Sequence, residues 1–204
     1  ISLQYPLVEA LLGVLYVAVL LVHDFNPFTT TLRDVILIVL DATVWTTLLA
    51  VTVYDIKHKI IPDSFSLTIA IVSGIALLLK WQLGLLPTQF FPLLETGAFP
   101  QWIDIASGPL LFLPFALLWY FSGGRAMGLG DAKLAWGLGW FLGFSGCVTA
   151  IILAFWIAFL PSLFLLLLPT KQFNMKSEIP FGPFLLLGTV LVYVFGLDIL
   201  RWSF

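Results

Sequence analysis

The sequence predicts an all-α protein, a polytopic transmembrane helix bundle of about seven spans. Of its 204 residues, 61% are hydrophobic and only 10% are charged, and the mean hydropathy is +1.09. A soluble domain carries roughly 25% charged residues, so this chain is too poor in charge to cover a globule in water. The net charge of −2 also argues against an electrostatic surface for nucleic acid. The lipid bilayer is therefore the first predicted partner.

Apolar segments recur at the length that a bilayer requires, about 20 residues per helix. The fifth segment is short and rich in glycine, so it is the weakest of the set. The segment 81–102 is rich in aromatic residues and proline, which favours a loop at the headgroup level. We expect one membrane-embedded domain, 1–204, with spans at 6–22, 35–54, 64–80, 103–121, 131–144, 146–168 and 181–197.

Lysine and arginine indicate the orientation of the bundle. Cytoplasmic connections carry an excess of these residues. If the N-terminus is inside, six fall on the cytoplasmic side and three on the other, which favours this orientation. The inner set is Lys57, Lys59, Arg125, Lys133, Lys171 and Lys176, and the outer set is Arg33, Lys80 and Arg201.

Two acids are predicted to meet at one face of the membrane. Asp55 closes the second span and Asp131 opens the fifth. With the N-terminus inside, the second span ends and the fifth begins on the cytoplasmic side, so both acids reach the same depth. Ionisable residues at membrane depth are expensive and are functional hypotheses by default. This shared level predicts a cytoplasmic-side active site.

Two carboxylates in one site have a known chemistry. Like charges a few ångströms apart cannot both ionise, so the pair shares a proton. The ionised member can then activate a water while the protonated member polarises a carbonyl. Gly128 and Gly130 would let an extended substrate approach the backbone beside Asp131. A simpler interpretation stays open at this point: Asp131 could only stabilise a helix N-terminus, and Asp55 could be a solvated helix end.

The other polar residues of the apolar segments have simpler explanations. Glu9 and Asp41 could hydrogen-bond to neighbouring helices and hold the bundle together. Lys133 could reach the interface or tune the charge of Asp131. Asp63 is explained by capping the third span. Cys147 is alone, so no disulfide or thiolate cluster can form within this chain, and we expect neither a metal nor a cofactor.

Four segments together resemble the type IV prepilin peptidase family of intramembrane aspartyl proteases. The sequence Asp-Ile-Lys-His-Lys-Ile-Ile-Pro-Asp at 55–63 and the sequence Gly-Leu-Gly-Asp-Ala-Lys at 128–133 are similar to the two aspartate motifs of that family. Tyr-Pro-Leu-Val-Glu at 5–9 resembles its entry motif, and Pro-Phe-Gly-Pro at 180–183 resembles its closing turn. The motifs occur in the family order over nearly the whole chain.

The resemblance implies a function. Members of this family remove the basic leader of type IV prepilins, or of type II secretion pseudopilins, after a glycine on the cytoplasmic side of the bacterial inner membrane. Asp55 and Asp131 match the catalytic pair, and Gly128, Gly130, Lys133 and Glu9 would shape the substrate site. The expected partner is the prepilin or pseudopilin helix.

The family's cysteine-containing insert is absent from these residues. We therefore expect no methyltransferase activity from this chain. The start at Ile1 favours the C-terminal part of a longer polypeptide over a peptidase-only relative.

Three alternatives remain. Presenilin and signal-peptide-peptidase relatives also use Tyr-Asp and Gly-x-Gly-Asp, but their Pro-Ala-Leu segment does not occur here. A proton- or cation-coupled transporter would place its acids near the middle of the bilayer. A membrane scaffold without activity would tolerate the loss of either Asp55 or Asp131.

Overall fold

The computed structural model describes residues 4–84, 102–125, 127–167 and 180–199. The described residues form helices and turns, as the all-α prediction requires. Short connections join α1 to α2 and α2 to α3, so these neighbours run antiparallel. The helices are α1 (Gln4–Val22), α2 (Leu32–His58), α3 (Asp63–Gln82), α4 (Trp102–Ser122), α5 (Leu129–Leu167) and α6 (Gly182–Phe195).

Helices α1 to α5 are long and apolar enough to cross a membrane, which confirms a transmembrane bundle as the fold class. Large hydrophobic side chains are exposed along all of them, as a lipid-facing surface requires. Helix α6 is apolar but has only 14 residues. The predicted count of seven spans stays a prediction.

Helix α5 contains a break at Gly143, whose φ of 75° and ψ of 174° are not helical. The Sγ atom of Cys147 lies 4.0 Å from the carbonyl oxygen of Ala135. Twelve residues of straight helix would separate these positions by about 18 Å, so α5 folds back on itself. Its first arm (129–142) and second arm (144–167) are antiparallel, and the break lies beside the predicted boundary between the fifth and sixth spans.

The first arm of α5 is the packed centre of the fold. Leu134 and Leu138 are fully buried in the main hydrophobic cluster, together with Trp45 of α2 and Leu185 of α6. The glycine content that weakened the fifth predicted span is explained by close packing. A Cβ atom on Gly139 would lie 2.9 Å from backbone atoms of α4, which is the small-residue packing typical of membrane helices.

Three helix N-termini and one helix C-terminus meet at one end of the bundle. They are the C-terminal turn of α2 and the N-termini of α3, α5 and α6, joined by contacts between Gly182 and Asp55 and between Lys133 and Asp63. We call this the aspartate end. The predicted surface loop at 81–102 lies outside the described residues except for its edges, as do Lys171, Lys176 and Arg201 of the orientation argument.

Candidate active site

Asp55 lies one turn before the end of α2. Helix α2 continues three residues past it, beyond the predicted span, and then ends where Lys59 adopts the left-handed conformation with φ of 54°. The Lys59 amide donates to the carbonyl oxygen of Asp55 at 2.7 Å. The side chain of Asp55 is turned into the protein, and the residue is only 5% exposed. Asp55 is therefore a buried acid and not the solvated helix end of the simpler interpretation.

The Asp55 carboxylate accepts a hydrogen bond from the first residue of α6. The amide nitrogen of Gly182 lies 2.9 Å from Oδ2 of Asp55, across 127 positions of sequence. A Cβ atom on residue 182 would lie 2.8 Å from the same oxygen, so only glycine allows this approach without displacement. Sequence reasoning found the Pro-Phe-Gly-Pro segment through the resemblance, but it did not include Gly182 among the site residues.

Asp131 is the third residue of α5 and is partly buried. Its carboxylate accepts a hydrogen bond from the backbone amide of Gly128 and lies within electrostatic range of Asp55. An acid that reaches back to an amide just ahead of its helix is capping that helix. Asp131 thus does cap the N-terminus of α5, as the simpler interpretation says. Capping does not explain why a second buried acid, Asp55, lies within electrostatic range of it.

The two glycines ahead of Asp131 have different surroundings. Gly128 is exposed, and a Cβ atom on it would lie 3.4 Å from Oδ2 of Asp131. Gly130 packs on the segment that follows α2, where a Cβ atom would lie 2.8 Å from Cβ of Ile61. Gly128 therefore remains the better candidate for contact with a substrate backbone, whereas Gly130 brings the start of α5 against Ile61.

Lys133 pairs with the start of α3. Its Nζ atom donates to Oδ1 of Asp63 at 2.7 Å, and Asp63 has a 75% exposed side chain. The prediction that Asp63 caps α3 was wrong: Pro62 occupies the cap position and Asp63 is the first helical residue. Proline fixes the backbone there without a side-chain acceptor, which leaves the Asp63 carboxylate for Lys133. The pair links α3 to α5 beside Asp131.

Glu9 is exposed on α1 and is not joined to the two aspartates by any contact recorded among the described residues. Its depth follows from the register of α1 against α2. Tyr16 bonds to Thr46 at 2.8 Å, and His23 bonds to Asp41 at 2.9 Å. The residue numbers of these antiparallel pairs add up to 62 and 64, which puts Glu9 level with residues 53–55. It therefore lies at the depth of Asp55, on a surface of α1.

Asp41 is the other buried acid of α2, and it lies toward the opposite end. Its Oδ2 atom accepts hydrogen bonds from Tyr193 of α6 at 2.8 Å and from His23 at 2.9 Å, and Lys80 of α3 lies 3.8 Å from Oδ1. Asp41 is 1% exposed. These contacts join α2 to α3, to α6 and to the turn after α1, which confirms the prediction that Asp41 hydrogen-bonds to neighbouring parts of the bundle. That Asp41 stabilises the bundle stays a prediction.

The geometry at the aspartate end suits acid–base chemistry. Each of the two carboxylates accepts a hydrogen bond from the backbone amide of a glycine. Among the described residues, neither acid forms an ion pair. Two such carboxylates within electrostatic range can hold one proton between them and offer one base and one acid to a bound water. The described part of the chain contains no group of three or more His, Cys, Asp or Glu residues that could hold a metal.

Comparison with known proteins agrees with the motifs. The profile of the type IV leader peptidase family matches residues 42–167, a range that contains both Asp55 and Asp131. No solved structure matches the chain at a significant level.

Similarity to individual proteins extends beyond the profile, over nearly the whole of this chain. The prepilin leader peptidase/N-methyltransferase of Aeromonas hydrophila is 31% identical over 207 residues, covering 99% of this chain and 62% of that protein. The proteins of the same name from Aeromonas salmonicida (strain A449) and Xanthomonas campestris pv. campestris are each 30% identical and are covered to 62% and 61%. The chain thus spans somewhat less than two thirds of the length of these relatives. With the profile covering more than half of it and the predicted resemblance confirmed, the chain belongs to the type IV leader peptidase family.

Proposed function

We propose that this chain is the peptidase part of a prepilin leader peptidase, and that Asp55 and Asp131 activate the water that cuts the leader from its substrate. The single observation that carries the proposal is the convergence of the two acids. They come from helices more than 70 positions apart in sequence, they interact electrostatically, and they lie in the range that the family profile matches.

The chemistry that this pair supports needs no covalent intermediate. The ionised carboxylate accepts a proton from water as the water oxygen bonds to the scissile carbonyl carbon. The protonated carboxylate gives its proton to the carbonyl oxygen. When the carbon–nitrogen bond of the tetrahedral intermediate breaks, the carboxyl group that took the proton from water gives it to the leaving nitrogen. The other carboxylate takes a proton from a hydroxyl of the intermediate as the new C=O bond forms, so the pair again holds one proton.

The substrate is proposed to be a type IV prepilin or a pseudopilin of type II secretion. Its helix would lie in the bilayer, and its basic leader would lie at the aspartate end. The lysines and arginines predicted for that end of the bundle support an aspartate end that faces the cytoplasm in the bacterial inner membrane. Glu9, at the depth of Asp55 on the surface of α1, is a candidate for contact with the substrate.

Methylation is a separate matter. The relatives are named for both leader cleavage and N-methyl transfer, and this chain spans 62% or less of them. The matched profile is that of leader peptidases. We therefore propose cleavage without methyl transfer for residues 1–204, and we expect a cleaved product whose mass does not increase when S-adenosylmethionine is added.

Cleavage of a purified prepilin tests the proposal. The chain, in detergent or in lipid vesicles, is incubated with a prepilin, and the products are mapped by mass spectrometry. We expect one cut at the leader junction, and we expect both Asp55→Asn and Asp131→Asn to lose it. Asp63→Asn is the matched control, since this acid lies at the same end but is exposed and paired with Lys133. Wild-type cleavage by either dyad variant would overturn the proposal.

A chelator separates this mechanism from a metal-dependent one. We expect EDTA to leave the rate unchanged, because the proposed chemistry uses two carboxylates and a water alone. A rate that falls in EDTA and returns with a divalent cation would contradict the two-aspartate mechanism. It would not contradict the proposal that the chain is a peptidase.

A further inference from the structure

Helix α6 begins without a local cap. The residue at the cap position, Phe181, makes no side-chain hydrogen bond to the helix, and Pro183 has no amide hydrogen. The amides of Phe184 and Leu185 both donate to the carbonyl oxygen of Phe181, at 3.1 Å. Of the amides that a helix start leaves without a partner, that of Gly182 is directed instead at Asp55.

The first turn of α6 is fixed in place by its neighbours. The ring of Phe181 lies against Phe155 of the second α5 arm, with 4.9 Å between centroids, and Leu185 is 1% exposed in the main cluster. Gly182 itself is buried. The amide that holds Asp55 is therefore carried by a packed helix and not by a mobile loop.

From these contacts we infer that Gly182 is a positioning residue for the dyad: its amide fixes Oδ2 of Asp55, and its missing side chain lets α6 lie against that carboxylate. This inference rests on the proposed peptidase function. It assigns the Pro-Phe-Gly-Pro turn to the aspartate site. Asp55 is thus oriented by a helix from the far end of the sequence, which leaves its second oxygen for the chemistry shared with Asp131.

Gly182→Ala tests this role through catalysis. The new Cβ atom would lie 2.8 Å from Oδ2, so the carboxylate must move. A shift of about 1 Å in a catalytic group can cost about 100-fold in rate. We expect kcat to fall by about that factor, and KM for the prepilin to change by less than about twofold, because binding does not depend on the orientation of Asp55.

Two glycine controls separate positioning from general damage. A Cβ atom on Gly139 would be equally crowded, at 2.9 Å, but against the backbone of α4 and away from the dyad, whereas one on Gly13 meets nothing within 4 Å. We expect Gly139→Ala to lower the melting temperature with kcat per folded molecule unchanged, and Gly13→Ala to change neither. A kcat for Gly182→Ala that equals the wild-type value would overturn the inference.

A double variant gives a readout that does not depend on activity. If the added methyl group of Gly182→Ala strikes Asp55, removing that carboxylate makes room for it. We expect Gly182→Ala to lower the melting temperature by about 5 °C in the wild-type background and by less than about 1 °C in the Asp55→Ala background. If Gly182→Ala alone is not recovered as folded protein, recovery of the double variant supports the contact. Equal losses in the two backgrounds, or a double variant that also fails to fold, would overturn it.

The two proposals fail differently. If Asp55→Asn cleaves prepilin at the wild-type rate, the proposed function is wrong whatever Gly182→Ala does. If Asp55→Asn is inactive and Gly182→Ala cleaves like the wild type, the dyad stands and only the positioning role of Gly182 is lost.

Discussion

Helix α2 carries two buried acids 14 residues apart, and their surroundings are opposite. Asp41 is met by a histidine, a lysine and a tyrosine, all side chains of other elements. Asp55 is met by one backbone amide and by the charge of another acid. A buried charge is stable when opposite charges and hydrogen bonds compensate it, and reactive when they do not. Burial alone would make both acids functional candidates. The groups around each acid distinguish the structural one, Asp41, from the reactive candidate, Asp55.

The largest expected difference between the two acids is in cleavage. Asp55→Asn keeps an oxygen that can accept the Gly182 amide but cannot act as a base, so we expect the cleavage rate to fall by about 10²- to 10⁴-fold. Asp41→Asn should keep kcat per folded molecule within about twofold, because it lies about 21 Å along the helix from Asp55. Parallel prepilin assays on folded protein would check both. Equal losses in the two variants would break the comparison.

Stability should show the reverse order. Asp41→Ala leaves Lys80 and His23 without their acid, and the loss of one partner from a buried ion pair costs about 3–5 kcal/mol. Because the side chains of Lys80 and His23 are 26% and 17% exposed, we expect about 3 kcal/mol. Unfolding in graded mixtures of denaturing and mild detergent measures it. The free energy of unfolding of Asp55→Asn should stay within about 1 kcal/mol of the wild-type value in the same assay, since the new side chain can still accept the hydrogen bond from the Gly182 amide.

Tyr193→Phe sharpens the account of the Asp41 cluster. It removes one hydrogen bond to a charged group and leaves the ring that packs against Trp45 and Phe141. A bond of this kind contributes about 1.5 kcal/mol, and bonds between membrane helices average less, so we expect about 1 kcal/mol. A double variant with Asp41→Ala, which removes the acceptor, should show a coupling of similar size, and strict additivity would argue that the bond contributes nothing.

The smallest effect is expected at Lys133. Its bond to Asp63 is short, but the carboxylate is largely exposed, and exposed ion pairs contribute about 0.2–1 kcal/mol. We expect Lys133→Met to cost about 0.5 kcal/mol, to be sensitive to salt, and to lower cleavage by less than about tenfold. A much larger loss of cleavage, with Asp63→Asn unaffected, would mean that Lys133 acts on Asp131 or on the substrate and not through its pair.

Much of the fold could be predicted because the relevant signals are local. The length of each apolar segment follows from the thickness of the bilayer, and helices α1 to α4 overlap the first four predicted spans. The break at Gly143 lies beside a predicted boundary, but the fold-back shows only in the contact between Cys147 and Ala135. The cap assigned to Asp63 failed because the preceding proline fixed the helix start, leaving the acid to pair across helices.

By itself, the sequence determined that this is a membrane helix bundle, and it singled out the two aspartates, because hydropathy and the alternation of spans are properties of the chain in order. Only the tertiary structure decided which buried acid is compensated and which is not. Asp41 meets Tyr193 across 152 positions and Asp55 meets Gly182 across 127. Contacts at such separations leave no local pattern, since they depend on how the last helix packs against the second.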